Sequence, residues 1–493
     1  MSALLGIDVG TTNTKIRIYD INGDILDEKI FSTPFNTDKY GGFYNPKGIF
    51  DKLLQEIAIF DSSLKKSVIA LSVSSFAETI VGVDKKGKPV TECIAWFDPR
   101  TEAQYKKYKD KFNEGEVYSN TGLIPHYIYS FYKLLWHREN HNKLFHSVKC
   151  WTSMSGYILF AFCGEISFDY SLASRTMLFH QHKRCWWEKM LNLAEISNEK
   201  MAKVVPSGVV LGKIKSEVSR ITGLLSDVLV VTGGHDHLCS ALATGVFHEG
   251  SVLISSGTTE SVTMSLKNIP MINFCKNRPF LWGHHTAPHY FYAINGIYSG
   301  GYSLDWILKI LGENYHTFKK LSLQKLKNIP LFFPYLRGGN YEGAKGAFFN
   351  LDSDVDRENI LQGLVFGLCF ELRTFWEVME KALDVSVKRV PNTGGGSKNT
   401  YWMEVKATVL GYEIIVPKDK EGGTKGAAIL AGIGSGVYRD AEDAYKITFK
   451  QDRIYKPVES IKEWFDKWYR IYCDLEEDLK KINKKIKNNL QKS

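Results

Sequence analysis

Apolar and polar positions alternate along this chain with two periods. At the start, Leu4, Leu5 and Ile7 lead into Gly10-Thr11-Thr12, and Ile16, Ile18 and Tyr19 then resume a two-residue alternation. That pattern predicts strand, tight turn, strand. It returns in SVLISSGTTESVTM, with Ser256-Gly257-Thr258-Thr259 at the turn. VIALSVSS and IVGVD predict strands, and IYSFYKLLWHREN and WTSMSGYILFAF predict helices. DVLVVTGGHDHLCSALATGV predicts a buried strand, a Gly-Gly turn and a helix. In the second half, NILQGLVFGLCFELRTFWEVMEKAL predicts one long helix. RVPNTGGGSKNTYWMEVKATVL predicts strand, glycine loop and helix, and EGGTKGAAILAGIGSGVY another glycine-rich helix entry. Strands alternating with helices indicate an α/β architecture. One small hydroxyl-rich turn in each half reads as an internal repeat, two related domains facing one another. No long linker separates them, and the boundary falls near Ala243, giving 1–243 and 244–493.

Composition narrows the class. Of 493 residues, 44% are hydrophobic and 24% charged, which excludes disordered, collagen-like and fibrous chains. No run of eighteen apolar residues occurs, so no membrane span is expected. MSALLGIDVG has neither a basic leader nor an apolar core of signal length, which predicts a cytoplasmic protein. The net charge of +9 falls to +3 once the six lysines between Lys480 and Lys492 are set aside. The body is near neutral and no nucleic-acid partner is expected; the tail reads as a solvated helical end. Eight scattered cysteines without a CxxC pair, Cys275 among them, indicate reduced thiols rather than a zinc knuckle or a disulfide framework.

Four short segments carry chemistry. In Asp8-Val9-Gly10-Thr11-Thr12-Asn13, glycine lets backbone approach a phosphate, turn N–H groups and hydroxyls can donate to it, and Asp8 could hold a magnesium ion. A plain hairpin uses the same residues. The second turn, with Gly257 and Thr258, repeats the composition, and two such turns suit a cleft that grips a triphosphate from both sides. No GxxxxGK[ST] loop is present. Gly394-Gly395-Gly396-Ser397-Lys398-Asn399 could lay a flat ligand against backbone, with Asn399 on a base or ribose, or be a connection capped by Ser397. In Gly233-Gly234-His235-Asp236-His237, Asp236 stands at a helix start, where N–H groups should favour its charged form. It reads as a general base, as a plain cap, or as part of a His-Asp-His metal site.

In this order the segments resemble the FGGY carbohydrate kinases, over nearly the whole chain. The resemblance runs through DVGTTNTK, LSVSSFAET, AWFDPRT, TGLIPHYIYSFYKLLWHREN, GGHDHLCSALATGV, ISSGTTE, NILQGLVFGL, NTGGGSKN and KGAAILAGIGSGVY. It implies two actin-like domains of the ribonuclease H type around a deep cleft, and transfer of the γ-phosphate of ATP to a sugar or polyol hydroxyl. By the same resemblance Asp236 is the catalytic base and Asp8 the magnesium–phosphate aspartate. Gly10, Thr11, Thr12 and Asn13 form the first phosphate loop, and Gly257 and Thr258 the second. Gly395, Gly396 and Asn399 form the adenosine motif. Glu78, His237 and Phe76 fall at the acceptor. A homodimer is the family habit.

The chain also departs from the family pattern. The arginine of glycerol kinases is Ala77, which should vacate volume beside Glu78, and the Met-His pair of xylulose kinases is Phe76-Ala77. The tyrosine that follows TGL in glycerol kinases is Ile128, between Tyr127 and Tyr129, and His137 replaces an apolar residue. Asp98 and Arg100 read as a buried pair and Trp96 as core or pocket wall. Lys15 reads as a phosphate contact or an exposed strand lysine. His284 and His285 read as satisfied loop histidines or a cap over the acceptor pocket. The sequence thus predicts an ATP- and Mg²⁺-dependent kinase for a small sugar, polyol or sugar acid of four to seven carbons. A non-catalytic sugar sensor and an actin-like ATPase are the rival readings.

Overall fold

The computed structural model describes residues 2–270, 280–339, 341 and 343–490, so Cys275 lies outside the described residues. Two mixed sheets organise it. Across the first, the strands run Val210–Lys213, Leu229–His235, Val68–Ser75, Ala3–Val9, Asn13–Asp20, Ile25–Ser32. The last three form an antiparallel meander, and Val68–Ser75 and Leu229–His235 add in parallel. Across the second run Leu281–His284, Phe291–Ile297, Glu260–Leu266, Val252–Ser256, Val390–Thr393, Ile414–Pro417, Gln451–Tyr455. Again three strands meander, from Val252–Ser256 through Phe291–Ile297, and two add in parallel, Val390–Thr393 and Ile414–Pro417. The repeat expected from the two turns is therefore a repeat of five strands. Parallel neighbours need crossover connections, which explains the helices between them.

Each sheet has its own core. Ile7, Val9, Ile16, Leu71 and Val73 pack with Leu53, Ile158 and Val230 in the first half. In the second, the 27-residue helix Arg357–Leu383 buries Leu364, Phe370 and Phe375 against the sheet. Asp356 caps it: its side chain accepts from Asn359 N–H, and the Asn359 side chain returns the bond. The terminal helix Glu459–Leu490 adds Phe465, Tyr472 and Leu479 to this core, while Lys481, Lys484 and Lys485 face solvent. No described helix is long and apolar enough to cross a membrane.

The two halves are knitted together by helices. Asp236–Ala243 and Gly422–Gly434 pack on one another, and the latter also lies against the first sheet although it comes from the second half of the chain. A Cβ on Gly6 would stand 2.0 Å from Thr424 O, so only glycine admits that approach. Lys15 pairs with Glu421, Arg17 with Asp419 at 2.8 Å, and the Tyr19 hydroxyl donates to Asp419 at 3.0 Å. Lys15 is thus the partner of a carboxylate.

One local expectation is corrected. Gly233 and Gly234 do not turn: the strand runs on through His235, and the helix starts at Asp236. A Cβ on Gly233 would stand 1.8 Å from Val73 O, so this glycine serves close strand packing.

Candidate functional site

Register brings the motif residues to one edge. Asp8 pairs with Ser74, and Ser74 with Gly234, across three adjacent parallel strands. With strands about 4.8 Å apart, Asp8 and the start of the Asp236 helix stand roughly 10 Å from one another along the sheet. The carboxyl ends of parallel strands are where open α/β sheets bind ligands. In the second sheet Ser255 pairs with Thr393, so the turn after Ser256 and the loop after Thr393 leave side by side.

Both turns are held from behind and open in front. In the first, Gly10 N–H donates to Asn13 O at 3.1 Å and Thr33 N–H to Thr12 O at 2.9 Å. Trp96 Nε1 donates to Thr11 Oγ1 at 3.1 Å, and the Tyr44 hydroxyl to Thr11 O at 3.1 Å. Thr12 and Asn13 stay exposed. In the second, Gly257 N–H donates to Thr259 O at 2.9 Å, while Gly301 and Tyr302 N–H groups donate to the Gly257 and Thr258 carbonyls at 2.9 and 3.1 Å. Gly257 and Thr258 are exposed. Trp96, read as core or pocket wall, braces the first turn.

The glycine loop divides its work. A Cβ on Gly395 would meet nothing within 4 Å, leaving room for a flat ligand on the backbone. Gly396, by contrast, packs against Trp402 and Ser256, with clearances of 2.6 and 2.8 Å. Asn399 caps the helix Thr400–Leu410 by accepting from Trp402 N–H at 3.1 Å. Its Nδ2 is buried with no hydrogen-bond partner among the described residues. An orphaned donor beside an open glycine fits an adenosine.

Asp236 is the first residue of its helix, and its carboxylate accepts from His237 N–H at 2.6 Å and lies 3.1 Å from His235 Nε2. Burial keeps His235 neutral well below its ordinary pKa, so Nε2–H donates. The expected preference for the charged carboxylate is not what the surroundings produce. Burial, then the Glu78 charge, push the Asp236 pKa up, against the His237 hydrogen bond and Arg175. Asp8 is likewise raised, by burial and by facing Asp236, while Ser74 Oγ–H donates to it. The Asp8 carboxylate with the Ser74 hydroxyl beside it offers hard oxygen donors of the kind that suit magnesium. His235, Asp236 and His237 also bring three ligand atoms within 4.8 Å of one another. His237 Nδ1 lies 3.2 Å from Ser261 Oγ, a contact between the two halves.

Glu78 sits three residues beyond its strand with φ +60°, a left-handed conformation that costs a non-glycine residue roughly 1 kcal/mol or more. Two residues hold it. Lys133 Nζ, fully buried, donates to Glu78 O at 2.5 Å and to Ile128 O at 2.6 Å. Arg175 donates from Nε and Nη2 to Glu78 Oε1 at 2.6 and 2.5 Å. The Arg175 guanidinium lies over the Tyr129 ring at 5.7 Å. Beside Glu78 in the chain, Ala77 belongs to a buried hydrophobic cluster with Ile80 and Val117, and Arg175 lies on the flank of Glu78. Phe76 does not join this group; its ring stacks on Tyr44 at 4.5 Å in the first core, with 3% of the residue exposed. Buried there, it offers an acceptor almost no surface.

Asp98 and Arg100 form the expected buried pair, with Arg100 Nε donating to Asp98 Oδ1 at 3.0 Å. His284 and His285 are buried and partnered: His284 Nε2 lies 3.0 Å from Gln181 O, and His285 Nδ1 accepts from Ala287 N–H at 2.9 Å. Sequence reasoning missed Ser74, Arg175, Lys133 and Lys406. The signal for two of them was present: Arg175 interrupts a run of small and apolar residues, and Lys406 sits on the apolar stripe of Trp402, Val405 and Val409.

Residues 3–243 match the N-terminal domain of the FGGY family of carbohydrate kinases, and residues 252–435 its C-terminal domain. The chain is 27% identical over 507 residues to a xylulose kinase of Bacillus subtilis, covering 98% of this chain and 100% of that one. It is 27% identical over 485 residues to a gluconokinase of the same organism, covering 94% and 93%. Among solved structures, ligand-bound xylulose kinase from Lactobacillus acidophilus superposes with a TM-score of 0.89 at 22% identity, covering 99% of this chain and 100% of that one.

Proposed function

The chain belongs to the FGGY family of carbohydrate kinases, and from that premise we propose a division of labour among its residues. It is a phosphotransferase with the actin-like two-domain fold. We read residues 1–243 as the acceptor-side unit and 244–493 as the nucleotide-side unit, with the Gly422–Gly434 helix lent back to the first sheet. The reaction is transfer of the γ-phosphate of ATP to a hydroxyl of a sugar, polyol or sugar acid of four to seven carbons.

The observation that carries this reading is the meeting of Asp8, Ser74 and Asp236 at one sheet edge, with two open Gly-Thr turns supplied by the two halves. Gly10, Thr11, Thr12 and Asn13 hold phosphate oxygens from one side, and Gly257 and Thr258 from the other. Gly395 and Asn399 hold the adenosine end, with Gly396 shaping the loop by packing. Glu78, Asp236 and His237 take the acceptor. Asp8 would hold a magnesium ion, which when bound would neutralise charge on the phosphates. Asp236, its pKa raised by burial, accepts the hydroxyl proton as the oxygen attacks phosphorus. His235, neutral and donating through Nε2, keeps the carboxylate oriented. The His237–Ser261 contact joins the two halves over the site and limits water.

An acceptor panel with Mg-ATP, followed by ADP release, tests the reading. Acceptor-dependent ADP release is expected. Release independent of any acceptor would instead favour an actin-like ATPase, and binding without release a sensor.

A further inference from the structure

Asp8 is the penultimate residue of its strand, and register names its neighbours on one face of the sheet. Ser74 stands beside it on one flank and Lys15 on the other. Gly6, two residues back, shares that face. The helix Gly422–Gly434 lies over the same face. A Cβ on Gly6 would meet Thr424 O, and a Cβ on Gly423 would meet the Asp8 carboxylate, 2.6 Å from Cγ, 2.7 Å from Oδ2 and 2.8 Å from Oδ1. Lys15 is tied to Glu421, the residue before that helix, and Ser74, fully buried, donates to Asp8 Oδ1. The carboxylate therefore has Ser74 and Lys15 at its flanks, Thr424 behind it and Gly423 over it. The open direction is the one in which the strand runs, toward the Gly10-Thr11-Thr12 turn. Asp8 Oδ2 takes no hydrogen bond among the described residues, whereas Oδ1 is held by Ser74.

Gly423 is not among the glycines with a left-handed φ, and it stands in the first turn of a helix, where alanine has the higher propensity. The backbone does not ask for glycine here; the carboxylate does. Non-bonded carbon contacts are most favourable at about 3.5–4.0 Å, so a methyl at this position has to displace Asp8. Gly426, one turn on, shows the contrast. A Cβ there would stand 2.0 Å from Cys239 O, on the main chain of the helix that Asp236 begins, and the packing of two helices would have to give. At Gly423 the three nearest atoms all belong to the end of one side chain. The fold can accommodate that methyl, while the carboxylate swings away from its Ser74 donor.

Resting on the reading of Asp8 as the magnesium aspartate, we propose that Gly423 and Ser74 are the positioning residues that aim its carboxylate at the phosphates. Ser74 holds Oδ1 and leaves Oδ2 for a cation, and Gly423 closes off the rotamers that would turn the group under the helix. The two come from different halves of the chain: Ser74 lies with Asp8 in the N-terminal FGGY domain, and Gly423 in the C-terminal one. The seat of the aspartate is therefore complete only when the Gly422–Gly434 helix is docked on the first sheet. Magnesium demands near-ideal ligand directions, so turning the carboxylate weakens the site although its charge is kept.

The test uses the full chain, with Mn²⁺ as the probe. Mn²⁺ is titrated into the protein holding a non-hydrolysable ATP analogue and followed by electron paramagnetic resonance. The free Mg²⁺ needed for acceptor-dependent ADP release is measured beside it. Residues that orient a metal ligand typically carry about 10- to 100-fold in metal affinity, so Gly423→Ala and Ser74→Ala should each weaken Mn²⁺ binding by about 10-fold or more. The half-saturating free Mg²⁺ should rise to match, with the acceptor KM unchanged. Asp8→Asn should weaken Mn²⁺ binding further than either. Gly423→Ala should melt close to the parent, whereas Gly426→Ala should melt lower. Parent-like Mn²⁺ binding in folded Gly423→Ala and Ser74→Ala proteins, with Asp8→Asn weakened, would overturn the positioning roles while the magnesium reading of Asp8 stands. If Gly423→Ala fails to fold, parent-like binding in Ser74→Ala has the same consequence. Unchanged Mn²⁺ binding in Asp8→Asn would overturn both readings.

Discussion

Lys406 and Glu260 form a fully buried ion pair at the base of the second Gly-Thr turn, 2.5 Å from Nζ to Oε1. The ammonium also donates to Ser256 Oγ and Asn392 Oδ1, both at 2.8 Å. Ser256 and Glu260 flank the turn, Asn392 lies one residue before the end of the strand that feeds the glycine loop, and Lys406 rides on the helix capped by Asn399. One cation therefore fixes the second Gly-Thr turn and the glycine loop relative to one another.

Breaking such a pair leaves a buried charge and costs about 3–5 kcal/mol, whereas replacing both partners by apolar residues is often neutral. Lys406→Met and Glu260→Met alone should each lower the melting temperature clearly. The double variant should recover most of that stability and still show a KM for ATP raised about tenfold, because the turn has lost its bracket. Thermal denaturation and ATP titration of the three variants check this. A double variant with normal stability and normal ATP kinetics would show that the pair only fills the core.

Asp236 is the second target. Replacing a general base typically costs 10²–10⁴ in rate. Asp236→Asn keeps the size and the contact to His237 N–H, so kcat should fall by two to four orders of magnitude with ATP affinity nearly unchanged. Near-full transfer by a folded Asp236→Asn protein would remove the base from this residue.

The turns and loops were legible in the sequence because their chemistry is local. Gly10-Thr11-Thr12, Ser256 to Thr259 and the glycine loop declare themselves within a few residues, and the strand and helix periods around them are strong. Long-range pairs leave no such mark. Glu78 meets Arg175, and Glu260 meets Lys406, only after the sheets have formed. Phe76 shows the reverse error: motif alignment placed it at the acceptor, whereas its ring lies in the core on Tyr44. The electrostatics of Asp236 were misjudged because helix-end N–H groups are visible in sequence while the depth of burial is not. The crossing of Gly422–Gly434 onto the first sheet was equally hidden, since its glycines read as a helix entry rather than as a packing surface.

Three glycines give a graded test of the nucleotide path. Gly395 has open space where a Cβ would stand, and at Gly257 the nearest atom is Thr259 O at an ordinary 3.6 Å. Valine at either position should fold normally and fill the cleft, raising the KM for ATP at least tenfold. At Gly396 the same change meets Trp402 and Ser256 and should lower stability instead. Calorimetry of ATP binding alongside melting temperatures separates the cases. Unchanged ATP affinity in folded Gly257→Val and Gly395→Val proteins would move the phosphates and the adenosine elsewhere.

Acid sensitivity should come from the buried histidines. Burial lowers the pKa of His285 to about 3, of His137 to about 3 and of His284 to about 4, against an ordinary 6.5. For each, the native state keeps the ring neutral while the unfolded chain takes up a proton below pH 6.5. The stability they contribute is therefore complete above that value and is lost as pH falls toward 3–4. By pH 5 the loss from His285 alone should be about 2 kcal/mol, at about 1.4 kcal/mol per pH unit. Asp169 runs the other way, since burial raises its carboxyl to about 6 and that penalty is relieved as pH falls through 6 toward 3.8. The comparison is therefore best made between the parent and His285→Asn, whose side-chain oxygen can still accept the Ala287 N–H. Urea unfolding at pH 7.5, 6 and 5 should show the parent losing about 2 kcal/mol more than the variant over that range. Parallel pH profiles for the two proteins would mean that His285 carries a proton in the folded state, contrary to its burial.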